Sequence, residues 1–404
     1  MSRWMSDPGL LEEQAAGYRE LAARGDLAGL ARAVMRAACH NGAMTGPGAE
    51  NLELLRSLPD SDRMALGRIW ADWLGKVEDE GHRVFDDFGR APGYLRGELL
   101  TVASGVVRGI DGELLAAERR SRLAELAARH TTGSGNRDWE LVSAELAAGR
   151  VPGPSVLAVL RRIALVQYAE PALLELLATF PGPVLNPGEP WADRAIEDQE
   201  REDGVRNGAE SRAQAGIGPA GAPGAAGGAT AIAGTGAAEG GGPWLRLLSH
   251  TAPPTARAPS ARWARVARGL LEEAGAEQVR HRLHAWFGLV GMDRDTPLRG
   301  SRDDDIDAAR RPDPYNCRAL RGLAWLLGLL PPGPGTAAVL ARLAGTALRP
   351  LPSGRPAAPE VAEAAVVALS LLDDAAARDE LEDLAGRVTD RVIARRIAAA
   401  RAHR

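Results

Sequence analysis

The chain has 404 residues, 45% of them apolar, 25% charged and only 4% aromatic, with a formal charge of −4. That apolar fraction excludes a wholly disordered chain. The longest clean apolar run, 323–330, is far short of the roughly 20 residues a helix needs to span a bilayer.

In chain order the N-terminal part reads as helices. Asp7 before Pro8 is an N-cap followed by proline at the first helical position, and Leu10, Leu11, Gln14, Tyr18 and Leu21 follow at helical spacing. Asp26 caps a second helix bearing Leu27, Leu30, Val34, Met35 and Ala38 on one face. Asp60 or Ser61 opens a third, with Met64, Ile69, Trp70, Trp73, Leu74 and Val77 as its apolar stripe. Further helices fit 95–118, 120–130, 137–148, 155–168 and 171–180. Alternating β-branched runs are absent, so no strands are expected.

A charged run, 193–203, then leads into NGAESRAQAGIGPAGAPGAAGGATAIAGTGAAEGGG (207–242), which has no aromatic residue and few large aliphatics. Such a segment buries too little surface to offset the entropy of ordering, so 191–243 is expected to be an acidic, then Gly/Ala-rich, flexible linker. The expected organisation is an α-helical domain at 1–190, this linker, and a helical-repeat domain at 244–404. The formal charge divides accordingly into −5, −4 and +5.

The C-terminal part is the clearer one. Trp263, Val266, Leu270, Leu271, Val279, Leu283, Trp286, Phe287 and Val290 recur at spacings of three and four, as two helices broken near Gly275. A loop rich in Asp and Arg covers 291–314. Paired helices follow at 316–330 with 335–348 and at 359–372 with 375–388, turned at Asp373-Asp374, and a last helix covers about 390–402. The first helix of the string EAAVVALSLLDDAAARDELEDLAGRV is small and apolar, which lets helices approach closely. Arg318 and Glu363 stand 45 residues apart, within the period of HEAT and armadillo repeats. The fold class is therefore all-α, with helical hairpins stacked as a HEAT/armadillo-like solenoid.

DPYNCRALRGLAWLLGLL (313–330), LARLAGTALRPLP (340–352) and PEVAEAAVVALSLL (359–372), with PWLRLLSH (243–250) and PSARWARVARGLLEEAGAE (259–277), resemble the helical region of large bacterial proteins. These are the WGR-associated proteins, loosely named after molybdate-metabolism regulators. The resemblance covers about 244–390, brings no catalytic residues with it, and is not accompanied by an obvious WGR segment.

Catalytic signatures are sparse. Lys76 is the only lysine among 49 basic residues and Val77 follows it, which excludes a Walker loop; GxSxG, HExxH and CxxC do not occur. GxGxxG at 216–221 lies in the linker with Pro219 inside it, so it reads as a chance product of glycine-rich composition. Asp303, Asp304, Asp305 and Asp307 form a carboxylate cluster suited to a hard cation such as Mg²⁺, but flanking Arg302, Arg310 and Arg311 favour a solvated loop of self-paired charges. His281 and His284, three apart on a helix, have the spacing of two metal ligands. Glu78, Asp79, Glu80 and His82, with Asp86 and Asp87 beyond, read as a solvated helix end. Arg387, Arg391 and Arg395 recur every four residues beside Arg396, a stripe suited to phosphates or to a partner's carboxylates. Trp139, Trp191 and Trp244 lie near segment edges, where domain packing is the expected role.

Cys39 and Cys317, 278 positions apart, give no disulfide framework, and the N-terminus has no apolar stretch of signal-peptide length. A reducing cytoplasm is the expected compartment, and no cofactor is expected. The expected function is a non-catalytic interaction scaffold or regulatory module binding a protein or peptide. The alternatives are a nucleic-acid-binding or DNA-processing enzyme on a HEAT-like fold, or a metal-dependent enzyme using 303–307.

Overall fold

The computed structural model describes residues 8–40, 49–85, 92–110, 112–130, 137–166, 171–180, 184–215, 242–251, 257–300 and 305–402. Among them the regular structure is α-helical, with one short 3-10 turn, one isolated antiparallel bridge between Pro350 and Pro356, and no strand. The chain divides into two compact units, Met1–Leu176 and Leu177–Arg404.

The first unit contains α1 (Pro8–Ala23), α2 (Leu27–His40), α3 (Ala49–Arg56), α4 (Asp60–Phe85), α5 (Pro92–Val107), α6 (Ala116–Arg129), α7 (Trp139–Ala147) and α8 (Pro154–Val166). The division falls within α9 (Pro171–Ala178). Asp26 caps α2 by accepting from the Gly29 amide at 2.8 Å. The expected helix over 95–118 ends at Val107, because the chain takes positive φ at Gly109 (85°) and Gly112 (53°), a turn that side-chain-bearing residues resist, and the helix expected over 120–130 begins earlier, at Ala116. Helix α5 is the hub: it packs on α2, α3, α4, α6 and α7, and its Leu95, Leu99, Ala103 and Val106 are buried.

Helix α7 sits in this unit with two buried glutamates. Glu140 pairs with Arg56 of α3 (3.0 Å), Arg108 (3.6 Å) and Arg137 (3.8 Å). Glu145 pairs with Arg119 of α6 and with Arg150, both at 2.6 Å. Buried charges need partners of this kind, because low-dielectric surroundings penalise an isolated one heavily.

The second unit contains α10 (Pro190–Ala215), α11 (Pro243–Thr251), α12 (Ala261–Ala274), α13 (Ala276–Gly288), α14 (Pro314–Leu329), α15 (Thr336–Ala347), α16 (Pro359–Leu371), α17 (Ala375–Arg387) and α18 (Arg391–Ala402). Sequence patterning foretold α12 to α18 closely. Asp374 caps α17 by accepting from the Ala377 amide at 2.6 Å, and Asp313 caps α14 ahead of Pro314.

Helix α10 departs from the expected linker over 191–243, and the unit boundary lies upstream of the expected one at 190. Pro190 opens α10, and Trp191, Ala192 and Ala195 enter the core of the second unit. Arg194–Asp198 and Arg201–Glu197 pairs four residues apart support the charged turns that follow. The charged residues there cover the polar face of a helix whose first turns are apolar on the other. Residues 216–241, with the GxGxxG string, lie outside the described residues.

From α13 to α18, packing in the second unit runs between every second helix, and the consecutive helices α15 and α16 also pack closely. In one series α14 meets α16 and α16 meets α18, with α11 set against α14 across two intervening helices; in the other α13 meets α15 and α15 meets α17. Close approach in the first series depends on glycine. A Cβ at Gly322 would stand 2.7 Å from the Thr251 carbonyl oxygen, and one at Gly328 2.7 Å from the Ala368 backbone. One continuous apolar core joins 184–195 to α18, including Trp191, Trp244, Trp286 and Trp325.

Candidate functional site

The segment just before α10 is anchored to the start of α14 by a buried polar clamp. The Asn316 side chain donates to the Asn186 carbonyl at 2.8 Å and accepts from the Asn186 amide at 2.8 Å. Glu189 accepts from the Asp313 amide at 3.0 Å and from Asn316 Nδ2 at 2.8 Å. Burial, followed by the neighbouring Asp313 carboxylate, pushes the Glu189 carboxyl above its usual range, with Arg294 opposing.

Beside this clamp lies a cavity of about 280 Å³, bounded by the end of α13, the following loop, the 3-10 turn Ala308–Arg310, the end of α15 and the start of α16. Trp191, Cys317, Leu320 and Val361 form its apolar wall. Burial raises the Cys317 thiol well above its ordinary value, so it is a free, protonated thiol. Arg294, Arg310, Arg311 and Arg349 line the polar wall together with Glu189 and Asp293.

The four arginines differ in their commitments. Arg311 grips Asp305 through two 3.1 Å hydrogen bonds. The Arg294 side chain is only 6% exposed; its Nε donates to the Thr296 carbonyl, yet Nη1 and Nη2 are buried without a hydrogen-bond acceptor. Nη1 forms an ion pair with Glu189 at 3.6 Å, longer than a hydrogen bond. Gly188, at φ 102°, leaves room for this guanidinium, since a Cβ there would lie 2.9 Å from Nη2. Arg310 and Arg349 are exposed at the rim.

A shallow groove of about 320 Å³ between α15 and α17 adjoins the cavity, sharing Thr346 and Arg349 with it. Its floor is Ala338, Ala341 and Gly345, and its sides carry Arg342, Arg387 and Glu380.

The residues singled out from sequence are placed as follows. Asp303 and Asp304 lie outside the described residues. Asp307 is a loop tie: it accepts from the Ser353 amide (2.9 Å) and hydroxyl (2.7 Å) and from Arg355 (3.2 Å). The Ser353 hydroxyl bond leads in holding its carboxyl below the usual range. His281 is exposed on α13, while His284 is half-buried 3.5 Å from the Thr336 hydroxyl, its pKa lowered by burial and then by Arg280. No group of three His, Cys, Asp or Glu side chains among the described residues is arranged to hold a metal ion.

Arg387 closes α17, whereas Arg391, Arg395 and Arg396 begin α18 after a break in which Asp390 caps the Val392 and Ile393 amides. The single four-residue stripe expected from sequence is thus split between two helices. Arg396 is committed to Glu363, and Arg391 and Arg395 are exposed. The acidic and histidine side chains at 78–82, and residues 86 and 87, lie outside the described side chains. Trp139, Trp191 and Trp244 are all buried.

Sequence reading missed Arg294, Glu189, Arg342 and Arg349. The only available signal was the density of arginine over 294–311; nothing local ties Glu189 to Asp313, 124 residues away. No protein-family model, curated protein or solved structure matches the chain. No helix among the described residues is long and apolar enough to cross a membrane.

Proposed function

We propose that the protein is a non-catalytic binding module built on helical repeats, and that its partner is a protein or peptide. The observation that carries this reading is the every-second-helix packing from α13 to α18, the contact pattern of stacked helical repeats. Stacking of that kind buries α14 and α16 on nearly all sides and leaves one face of α15 and of α17 at the surface. The α15–α17 groove lies on that surface, with small residues on its floor and long charged side chains along its sides. On the same reading the second unit is a HEAT-like region akin to that of the WGR-associated bacterial proteins. The setting is a reducing cytoplasm, where a free thiol such as Cys317 is ordinary.

The competing reading is a nucleic-acid binder, and the exposed Arg391 and Arg395 of α18 are the observation that favours it. Salt-dependent titration of duplex DNA separates the two. The expected result is no saturable binding near physiological ionic strength. A log–log slope corresponding to several neutralised phosphates overturns the protein-binding reading.

A further inference from the structure

We infer that the cavity at Arg294 and the groove between α15 and α17 together bind an acidic peptide segment, one carboxylate entering the cavity and further carboxylates lying along Arg349, Arg342 and Arg387. The inference rests on the peptide-binding reading above and gives it a site and a ligand chemistry.

Three observations carry it. First, Arg294 lines the cavity, and although its Nη1 forms an ion pair with Glu189 at 3.6 Å, Nη1 and Nη2 are both buried without a hydrogen-bond acceptor. Buried guanidinium N–H groups without acceptors are costly, and the planar fork of the side chain matches a carboxylate, which accepts two parallel hydrogen bonds. Second, the exposed arginines around this point have no ion pair among the described residues: Arg310 and Arg349 at the cavity rim, and Arg342 in the groove. Arg311, by contrast, is held by Asp305 and serves as wall. Third, cavity and groove adjoin, with Thr346 and Arg349 in the lining of both. A small acid would fill the cavity and leave the groove unused. An extended peptide occupies both, with its backbone over the small residues Ala338, Ala341 and Gly345 and its side chains meeting the arginines.

Charge counts agree. With Arg349 counted once and Arg311 set aside because Asp305 neutralises it, five arginines of the cavity and groove stand against Glu189, Asp293 and Glu380. The cavity's apolar wall at Trp191, Leu320 and Val361 excludes water around the buried contact, which strengthens it relative to the rim.

The test is fluorescence anisotropy of labelled hexaglutamate with the full-length protein, beside labelled hexaglutamine. Saturable binding of hexaglutamate alone is expected, weakening as salt rises. Arg294→Gln is expected to lower affinity about tenfold, the loss of one desolvated charge-assisted contact. Arg342→Glu with Arg349→Glu, both at exposed positions, is expected to lower it at least as much while leaving the fold intact by circular dichroism; this pair keeps the test decisive should Arg294→Gln unfold. Arg391→Glu on α18 is the charge control and is expected to leave affinity within about twofold. Equal binding of hexaglutamine, an equal loss in the Arg391 variant, or displacement of the peptide by equimolar succinate overturns the inference. Absence of hexaglutamate binding by a protein that captures another partner overturns this site while leaving the protein-binding reading in place.

Discussion

Glu98 shows how one side chain can govern the pH response of a helical unit. It is 4% exposed on α5, its Oε1 has no hydrogen-bond partner, and burial followed by the Asp138 carboxylate raises its pKa from 4.5 to about 7, against Arg137, Tyr94 and Arg122. A carboxyl whose folded pKa exceeds its unfolded value contributes stability that is complete below about 4.5 and is lost as pH rises through about 7. Glu98→Gln is therefore expected to match the wild type near pH 5 and to exceed it near pH 8, by about 1–3 kcal/mol in chemical denaturation. Parallel pH profiles for the two proteins contradict this. Glu145 works in the opposite direction. Burial opposes its charge, but hydrogen bonds from Arg150 and Arg119 prevail and lower its pKa. Its stabilisation is present above the unfolded pKa and lost on acidification. Neither carboxyl was legible in the sequence, where Glu98 and Glu145 stood as ordinary polar positions; their environments come from helices that only the fold brings together.

Between elements, contact is decided by small residues and by buried ion pairs. The first were legible and the second were not. The small, apolar character of α16 announced close packing, and Gly328 of α14 lets the α16 backbone approach where a Cβ would stand 2.7 Å from Ala368. Gly328→Ala is expected to destabilise the protein by about 1–3 kcal/mol, although alanine favours a helix interior by about 1 kcal/mol, because the overpacked helices must separate. Stabilisation by this substitution would sink that packing argument. The Arg119–Glu145 pair between α6 and α7 makes a second case. Its two side chains are 0% and 6% exposed. Arg119→Met is expected to cost about 1–3 kcal/mol, since it removes one of the two partners of a buried charge while Arg150 remains, and the added Glu145→Met change is expected to recover part of that loss. A double variant no more stable than the single one contradicts the buried-charge explanation. Helix α10 was missed because its charge and its glycine-rich continuation dominated the local pattern, while the burial of Trp191, Ala192 and Ala195 depends on partners far along the chain.

For the molecule as a whole, all-helical architecture and the course of α12 to α18 could be read from apolar periodicity and caps. The limits of the second unit could not. Its core needs 184–195, and its clamp joins Asn186 and Glu189 to Asp313 and Asn316 across more than a hundred residues. A fragment spanning 177–404 is expected to unfold cooperatively in a thermal melt followed by circular dichroism. One spanning 244–404 lacks Trp191 and the clamp and is expected to melt lower and more broadly. Equal melting of the two fragments contradicts the assignment of 184–195 to this unit. The candidate site was legible only as an excess of arginine, because its definition depends on which guanidinium groups the fold leaves without acceptors. The central claim, a protein-binding module, is tested most directly by quantitative capture with the full-length protein from its native host, before and after nuclease treatment. The expected result is a protein partner retained in stoichiometric amount in both samples. Nucleic acid in the captured material, with the partner lost after nuclease, contradicts it.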